Sequence, residues 1–234
     1  MKRKKHYEKI ISCLASNYKQ PIAVLVERLL AVQLPEQPDG KSRESEVDYA
    51  IALITLLVLQ FESLLSRARH FDKDTKEKYA MQWMVSLNDT ALDSIIKRLN
   101  EVYFLRNAIA HNHIWSYTQH WEEGKAYYSN FDLNFAWQSS EKEFKKIVGG
   151  KLPYQFLPST RLLGLVVVPD FIGRKDVAIV FKTIKDVLDI LYKAGHIDSG
   201  SGRPTVRFND KLSYSFWSLI GQIQRSYISQ SRGK

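Results

Sequence analysis

Between Val47 and Ala68 apolar residues recur at every third or fourth position: Val47, Ala50, Ile51, Ile54, Leu57, Val58, Phe61, Leu64, Leu65 and Ala68. That spacing is the signature of a helix. Leu53, Leu56 and Leu59 make the opposite side apolar as well. A helix apolar on both sides is buried between neighbours or at an interface between two copies of the chain. The rest of the chain therefore has to supply partners, and the same spacing finds them. Pro21 suits a first helical turn, and Ile22, Leu25, Leu29 and Val32 follow it. Leu92, Ile95, Ile96, Leu99, Val102 and Tyr103 form a stripe after Asn88 or Asp89, either of which can cap. Val177, Val180, Phe181, Ile184, Val187, Leu188 and Leu191 form another after Gly173, and Gly195 is a natural stop.

These stripes predict four core helices, at about 21–33, 46–70, 89–111 and 174–194. Lys4–Tyr18 reads as a short helix of its own, with Gln20-Pro21 restarting the chain. Near 113 the period changes. Trp115, Tyr117 and Trp121 alternate, Glu123-Gly124 offers a turn, and Tyr127, Phe131, Leu133, Phe135 and Trp137 alternate again. This is the pattern of a β-hairpin with one aromatic face. Leu162–Val168 reads as a strand, Asp198–Pro204 as a hinge, and a last helix is expected from about Asp210, carrying Leu212, Phe216, Leu219, Ile220, Ile223 and Tyr227. The expected fold is mainly α: a four-to-five-helix bundle with a small β insertion at about 113–168, making up residues 1–195, followed by a hinge and C-terminal helix at 196–234.

Composition narrows the partners. The formal charge is +9, which favours an anionic partner such as nucleic acid about as much as it suits plain solubility. A single cysteine, Cys13, excludes an intramolecular disulfide and a cysteine-rich zinc site. His6–Lys19 carries Glu8, Asn17 and Lys19, so no signal peptide is expected. The run Val47–Phe61 is interrupted by Asp48 and Gln60 and is expected to be too short for a bilayer. A cytoplasmic protein without membrane contact is the expectation.

The chemistry concentrates in Leu105-Arg106-Asn107-Ala108-Ile109-Ala110-His111. At about 100° per residue, Arg106 falls in the middle of the apolar face built by Leu92, Ile95, Leu99 and Tyr103. Arginine is seldom buried unpaired. Arg106 must therefore border a cleft or meet an acid, and Glu62, where the Val47–Ala68 helix breaks pattern with Gln60, Ser63 and Ser66, is the expected partner. Asn107 and His111 stack four residues apart. His111 can exchange a proton near neutral pH. Arg106 offers a planar fork for a phosphate, and Asn107 can fix the imidazole or the substrate. RNA brings its own nucleophile, the 2′-hydroxyl, so such a site needs no metal and no cofactor. The same residues at a helix end also suit carbonyl capping and the helix dipole.

Arg106-Asn107-Ala108-Ile109-Ala110-His111 at the end of a helix, after an acid-bearing helix in a four-helix arrangement, resembles the HEPN superfamily over about residues 20–195. The resemblance implies a bundle that dimerises and joins two copies of the motif in one cleft. It implies metal-independent endoribonuclease activity, with Arg106 and His111 catalytic and Asn107 supporting; Glu62 joins them as a supporting residue through its expected pairing with Arg106. Toxin–antitoxin or antiphage systems are the implied setting, with RNA as substrate and an antitoxin or defence component as partner. Non-catalytic members that bind RNA, nucleotides or proteins are the alternative. The aromatic hairpin and the C-terminal helix lie outside the minimal bundle.

Other groupings are weaker. His111, His113, His120 and Glu122 show no fixed metal-ligand spacing. The aromatic hairpin face could stack bases, but core or interface is the favoured reading. Arg174-Lys175 reads as a solvated helix start rather than a phosphate contact. No phosphate-cradling Gly-rich loop occurs.

Overall fold

The computed structural model describes residues 15–33, 44–72, 75–110, 114–122, 125–134, 146–148, 157–197 and 205–231. The fold is mainly helical with two small antiparallel hairpins. Its elements are α1 (Ala15–Ala31), α2 (Glu44–Phe71), α3 (Ala80–Ser86), α4 (Thr90–Ala110), β1 (Ile114–Glu122), β2 (Lys125–Asn134), α5 (Arg174–Lys193), β3 (Thr205–Phe208), β4 (Lys211–Ser215) and α6 (Leu219–Ser231).

The doubly apolar helix is the centre of the bundle. α2 packs against α1, α3, α4 and α5. Ala50, Leu53, Ile54, Leu57, Val58, Phe61 and Leu65 are fully buried along it. They meet Ile22, Val26 and Leu29 of α1, Leu92, Leu99 and Val102 of α4, and Val180, Phe181, Ile184 and Val187 of α5 in one core. Each fully buried Leu, Ile, Val or Phe contributes about 1.5–3 kcal/mol through removal from water. α2 is longer than its most apolar run suggested. Glu46–Phe71 is long and apolar enough to cross a bilayer by length and composition; in this fold one side of it is buried against four other helices, while Leu59 on the other is exposed.

Helix ends follow local chemistry. Asp89 rather than Asn88 caps α4, its carboxylate accepting from Ala91 N at 2.9 Å. α5 begins after Gly173, with Asp176 accepting from Gly173 N at 3.0 Å. It ends on Gly195 at φ +77, where His196 N donates to Leu191 O and Gly195 N to Tyr192 O, a Schellman closure.

Four expectations are corrected. Pro21 does not restart the chain: it lies inside α1, on the exposed side. The preceding residues 4–14 and the hinge 198–204 lie outside the described residues. Leu162–Val168 is no strand. It is a turn with Gly164 at φ +65, closed by Gly164 N to Thr160 O at 3.0 Å and by Leu165 N to Thr160 Oγ1 at 3.0 Å. A single bridge, Ser159 to Val166, is its only strand-like pairing among the described residues. The last helix starts at Leu219, not near Asp210. Asn209 and Asp210 both take positive φ, at 45 and 63, and turn the chain into the β3–β4 hairpin as a two-residue primed turn does. Gln20 of α1 clasps this hairpin, exchanging hydrogen bonds with Arg207 N and O at 2.9 and 3.0 Å. Val206, Phe208, Phe216, Leu219 and Ile223 thereby join the main core. Arg174 is not solvated either. It is buried, its guanidinium 3.4 Å from Glu46 and donating to Val32 O, so it ties α5 to the start of α2 and the end of α1. Lys175 alone faces water.

Candidate functional site

Phe61 and Leu65 keep α2 anchored in the core while Glu62 and Ser63, between them, turn to its half-exposed side. On α4, Val102 and Leu105 are buried, and Arg106 follows where the stripe reaches the surface. The two breaks in pattern meet. Arg106 Nη2 donates to Glu62 Oε1 at 2.5 Å, and Nη1 donates to Asn107 Oδ1 at 3.0 Å. The arginine side chain is 24% exposed and the glutamate 33%. At that exposure water screens the pair, which contributes about 1 kcal/mol or less to stability.

Tyr103, one turn before Asn107, completes the cluster. Its ring centroid lies 5.8 Å from Arg106 Cζ, a cation–π distance. Its hydroxyl is buried and has no hydrogen-bond partner among the described residues, as is true of Arg106 Nε. Burial first, and the nearby Glu62 carboxylate second, push the phenol well above its ordinary pKa, with Arg106 opposing. Tyr103 is therefore a neutral O–H donor at physiological pH.

Of the residues singled out in the sequence, Glu62, Arg106 and Asn107 are thus brought together. His111 lies outside the described residues, as does His113. His120 sits apart on β1, 3.1 Å from Ser129 Oγ. Among the described residues no three His, Cys, Asp or Glu side chains group as a metal site would require.

The aromatic hairpin divides in two. Tyr117 and Tyr128 pack edge-on against Phe171, and Tyr117 Oη donates to Asp170 at 2.5 Å. Burial and that hydrogen bond push the Tyr117 phenol up to about 12. This part docks the hairpin on the body. Trp121 and Tyr127 near the tip are 70% and 49% exposed. Phe135 and Trp137 lie outside the described residues.

Three carboxylates with structural work were not legible as such. Glu101 is buried on α4 and accepts from Leu162 N and Leu163 N, both at 2.8 Å. Asp176 accepts from Val166 N at 2.9 Å as well as from Gly173. Glu46 holds Arg174. Their backbone partners leave no trace in residue identity. For Glu101 the only signal is an acid inside an apolar stripe, the signal that also marked Glu62; Asp176 stands at the third position of its helix, where a capping acid is expected.

No protein-family model, curated protein or solved structure matches this chain.

Proposed function

We propose that this chain is a metal-independent endoribonuclease of HEPN type, working as a homodimer whose paired α4 ends share one cleft. The observation that supports this reading most is the position of Arg106. It is an arginine at the surface end of a buried stripe, held by Glu62 and Asn107, with His111 following in the sequence.

The chemistry asks little of the protein. The RNA 2′-hydroxyl attacks the adjacent phosphorus and the 5′-oxygen leaves, giving a 2′,3′-cyclic phosphate and a 5′-hydroxyl. Arg106 stabilises the charge that builds on the phosphate. His111 moves the proton at the attacking or leaving oxygen, Asn107 orients these groups, and Glu62 holds Arg106 in place before the substrate arrives. A cytoplasmic setting, in a toxin–antitoxin or phage-defence system with a cognate partner, belongs to the same proposal.

The test is incubation with mixed RNA in EDTA. Cleavage that survives chelation, yields cyclic-phosphate ends and disappears in His111→Ala and Arg106→Ala supports the enzyme. RNA binding without cleavage, lost in Arg106→Ala, replaces it with a binding module. Neither binding nor cleavage overturns both.

A further inference from the structure

A phosphate that comes to Arg106 meets a guanidinium already paired to a carboxylate, with two of its five N–H donors in use. Both terminal nitrogens are engaged, Nη2 by Glu62 and Nη1 by Asn107. Asn107 is neutral and can share. Glu62 is an anion seated on the same fork that a phosphate oxygen would use. Two anions on one guanidinium repel, so an arriving phosphate competes with the carboxylate. A displaced Glu62, two-thirds buried, then needs another donor.

The structure holds one beside it. The Tyr103 hydroxyl is buried and has no partner among the described residues, and its ring centroid lies 5.8 Å from Cζ of the guanidinium that Glu62 holds. A buried hydroxyl normally finds a partner. One left waiting next to a carboxylate that must move is accounted for if the pair forms in the other state.

We infer that Tyr103 is a further positioning residue of the site: its hydroxyl receives the Glu62 carboxylate when an RNA phosphate takes Arg106 from it. Glu62 is then a displaceable clamp that mimics the substrate's charge, and Tyr103 lowers the cost of displacing it. This rests on the proposal that the site binds RNA phosphate.

The experiment measures binding of a single-stranded RNA, made uncleavable by 2′-deoxy substitution, by fluorescence anisotropy in EDTA at fixed salt. Glu62→Gln removes the competing charge and tightens binding by up to about fivefold, the equivalent of a partly exposed ion pair. Tyr103→Phe removes the receiving donor and weakens binding about two- to fivefold, the equivalent of one hydrogen bond. In the Glu62→Ala background Tyr103→Phe changes nothing, because there is no carboxylate to receive. A merely structural tyrosine would weaken binding equally in both backgrounds. Weaker binding in Glu62→Gln, or an unchanged Tyr103→Phe effect across backgrounds, overturns the inference. If Tyr103→Phe does not fold, the sign of the Glu62→Gln effect decides. Loss of binding in Arg106→Ala keeps the RNA reading alive when the clamp fails. Wild-type protein that neither binds nor cleaves RNA ends both.

Discussion

Replacing Glu101 by glutamine is expected to destabilise the fold severely, although it deletes no atom of the side chain's frame. Glu101 is 3% exposed, and its two oxygens accept from consecutive backbone amides, Leu162 N and Leu163 N, each at 2.8 Å. Both bonds carry the carboxylate's charge, worth about 1.5–3 kcal/mol apiece. A glutamine keeps one oxygen. Its –NH2 then faces the other N–H, donor against donor, and that amide loses its partner at about 1–3 kcal/mol. Leu162 is exposed, so water recovers part of the loss. The net expectation is about 2–4 kcal/mol, or a Tm lowered by about 5–15 °C at this chain length. Urea denaturation followed by tryptophan fluorescence reads the global change. Hydrogen exchange at Leu162 and Leu163 reads the local one. The turn that Glu101 fixes carries Val167 onto Phe104 and Val148, so loosening should spread to that small cluster. A Glu101→Gln protein within about 1 kcal/mol of wild type, with both amides still protected, would refute the reasoning.

Asp176 is buried and its pKa is pushed up to about 6, burial outweighing the amides that hold it. Since the folded value is above the unfolded 3.8, the folded chain binds this proton more tightly. Its contribution, about 3 kcal/mol, is fully present below pH 4 and lost as pH rises through 6. The Tm of Asp176→Asn, measured from pH 4 to 7, should therefore fall less steeply with pH than that of wild type; parallel curves would contradict this. Gly195→Ala meets no atom within 4 Å but must hold φ +77, so it should cost about 1–2 kcal/mol from backbone strain alone, read as a Tm shift with an unchanged circular-dichroism spectrum. Pro21→Ala restores an N–H and removes a ring clash inside α1, and should raise Tm, by an amount equivalent to about 1 kcal/mol or more; a lowered Tm would show that α1 depends on the bend.

Periodicity located the core helices because burial on one face of a helix writes directly into residue type. Ile54, Phe61, Leu99 and Phe181 were legible for that reason, and so were Asp89 and Gly195, whose jobs are local. What was lost depended on distance or on a short turn overruling a pattern. Leu212 and Phe216 keep helical spacing, yet the Asn209-Asp210 turn sends Leu212 to the surface of a hairpin and Phe216 into the core. α3 is only seven residues long, too short for a period. Its Trp83 is held instead by Asp72, through Nε1 to Oδ2 at 2.6 Å. Glu101 receives amides 61 and 62 residues further on, a relation that no window of sequence contains.

The two arginine–glutamate pairs show why the candidate site is set apart from the scaffold. Arg174 and Glu46 are 4% and 6% exposed, and both do more than pair. Arg174 also reaches Val32 O, and Glu46 accepts from Arg174 N at 3.1 Å. Three helix ends depend on them, which offsets the desolvation that a buried pair must overcome. Arg106 and Glu62 join only α2 to α4, where Leu57, Phe61, Leu99 and Val102 already pack. Among the described residues they satisfy no backbone group beyond their own helices, and the Tyr103 hydroxyl beside them has no partner; an Nε with no hydrogen bond is common to Arg106 and Arg174. Alanine or leucine at both positions would cost this bundle little, by the low worth of a screened pair. An arrangement that adds so little to folding, yet holds an arginine fork in a fixed place at the surface, fits the proposal that a phosphate binds the fork. Simultaneous Glu62→Leu and Arg106→Leu should therefore leave Tm within the equivalent of about 1 kcal/mol of wild type while abolishing RNA binding. A large fall in Tm would return the pair to the scaffold.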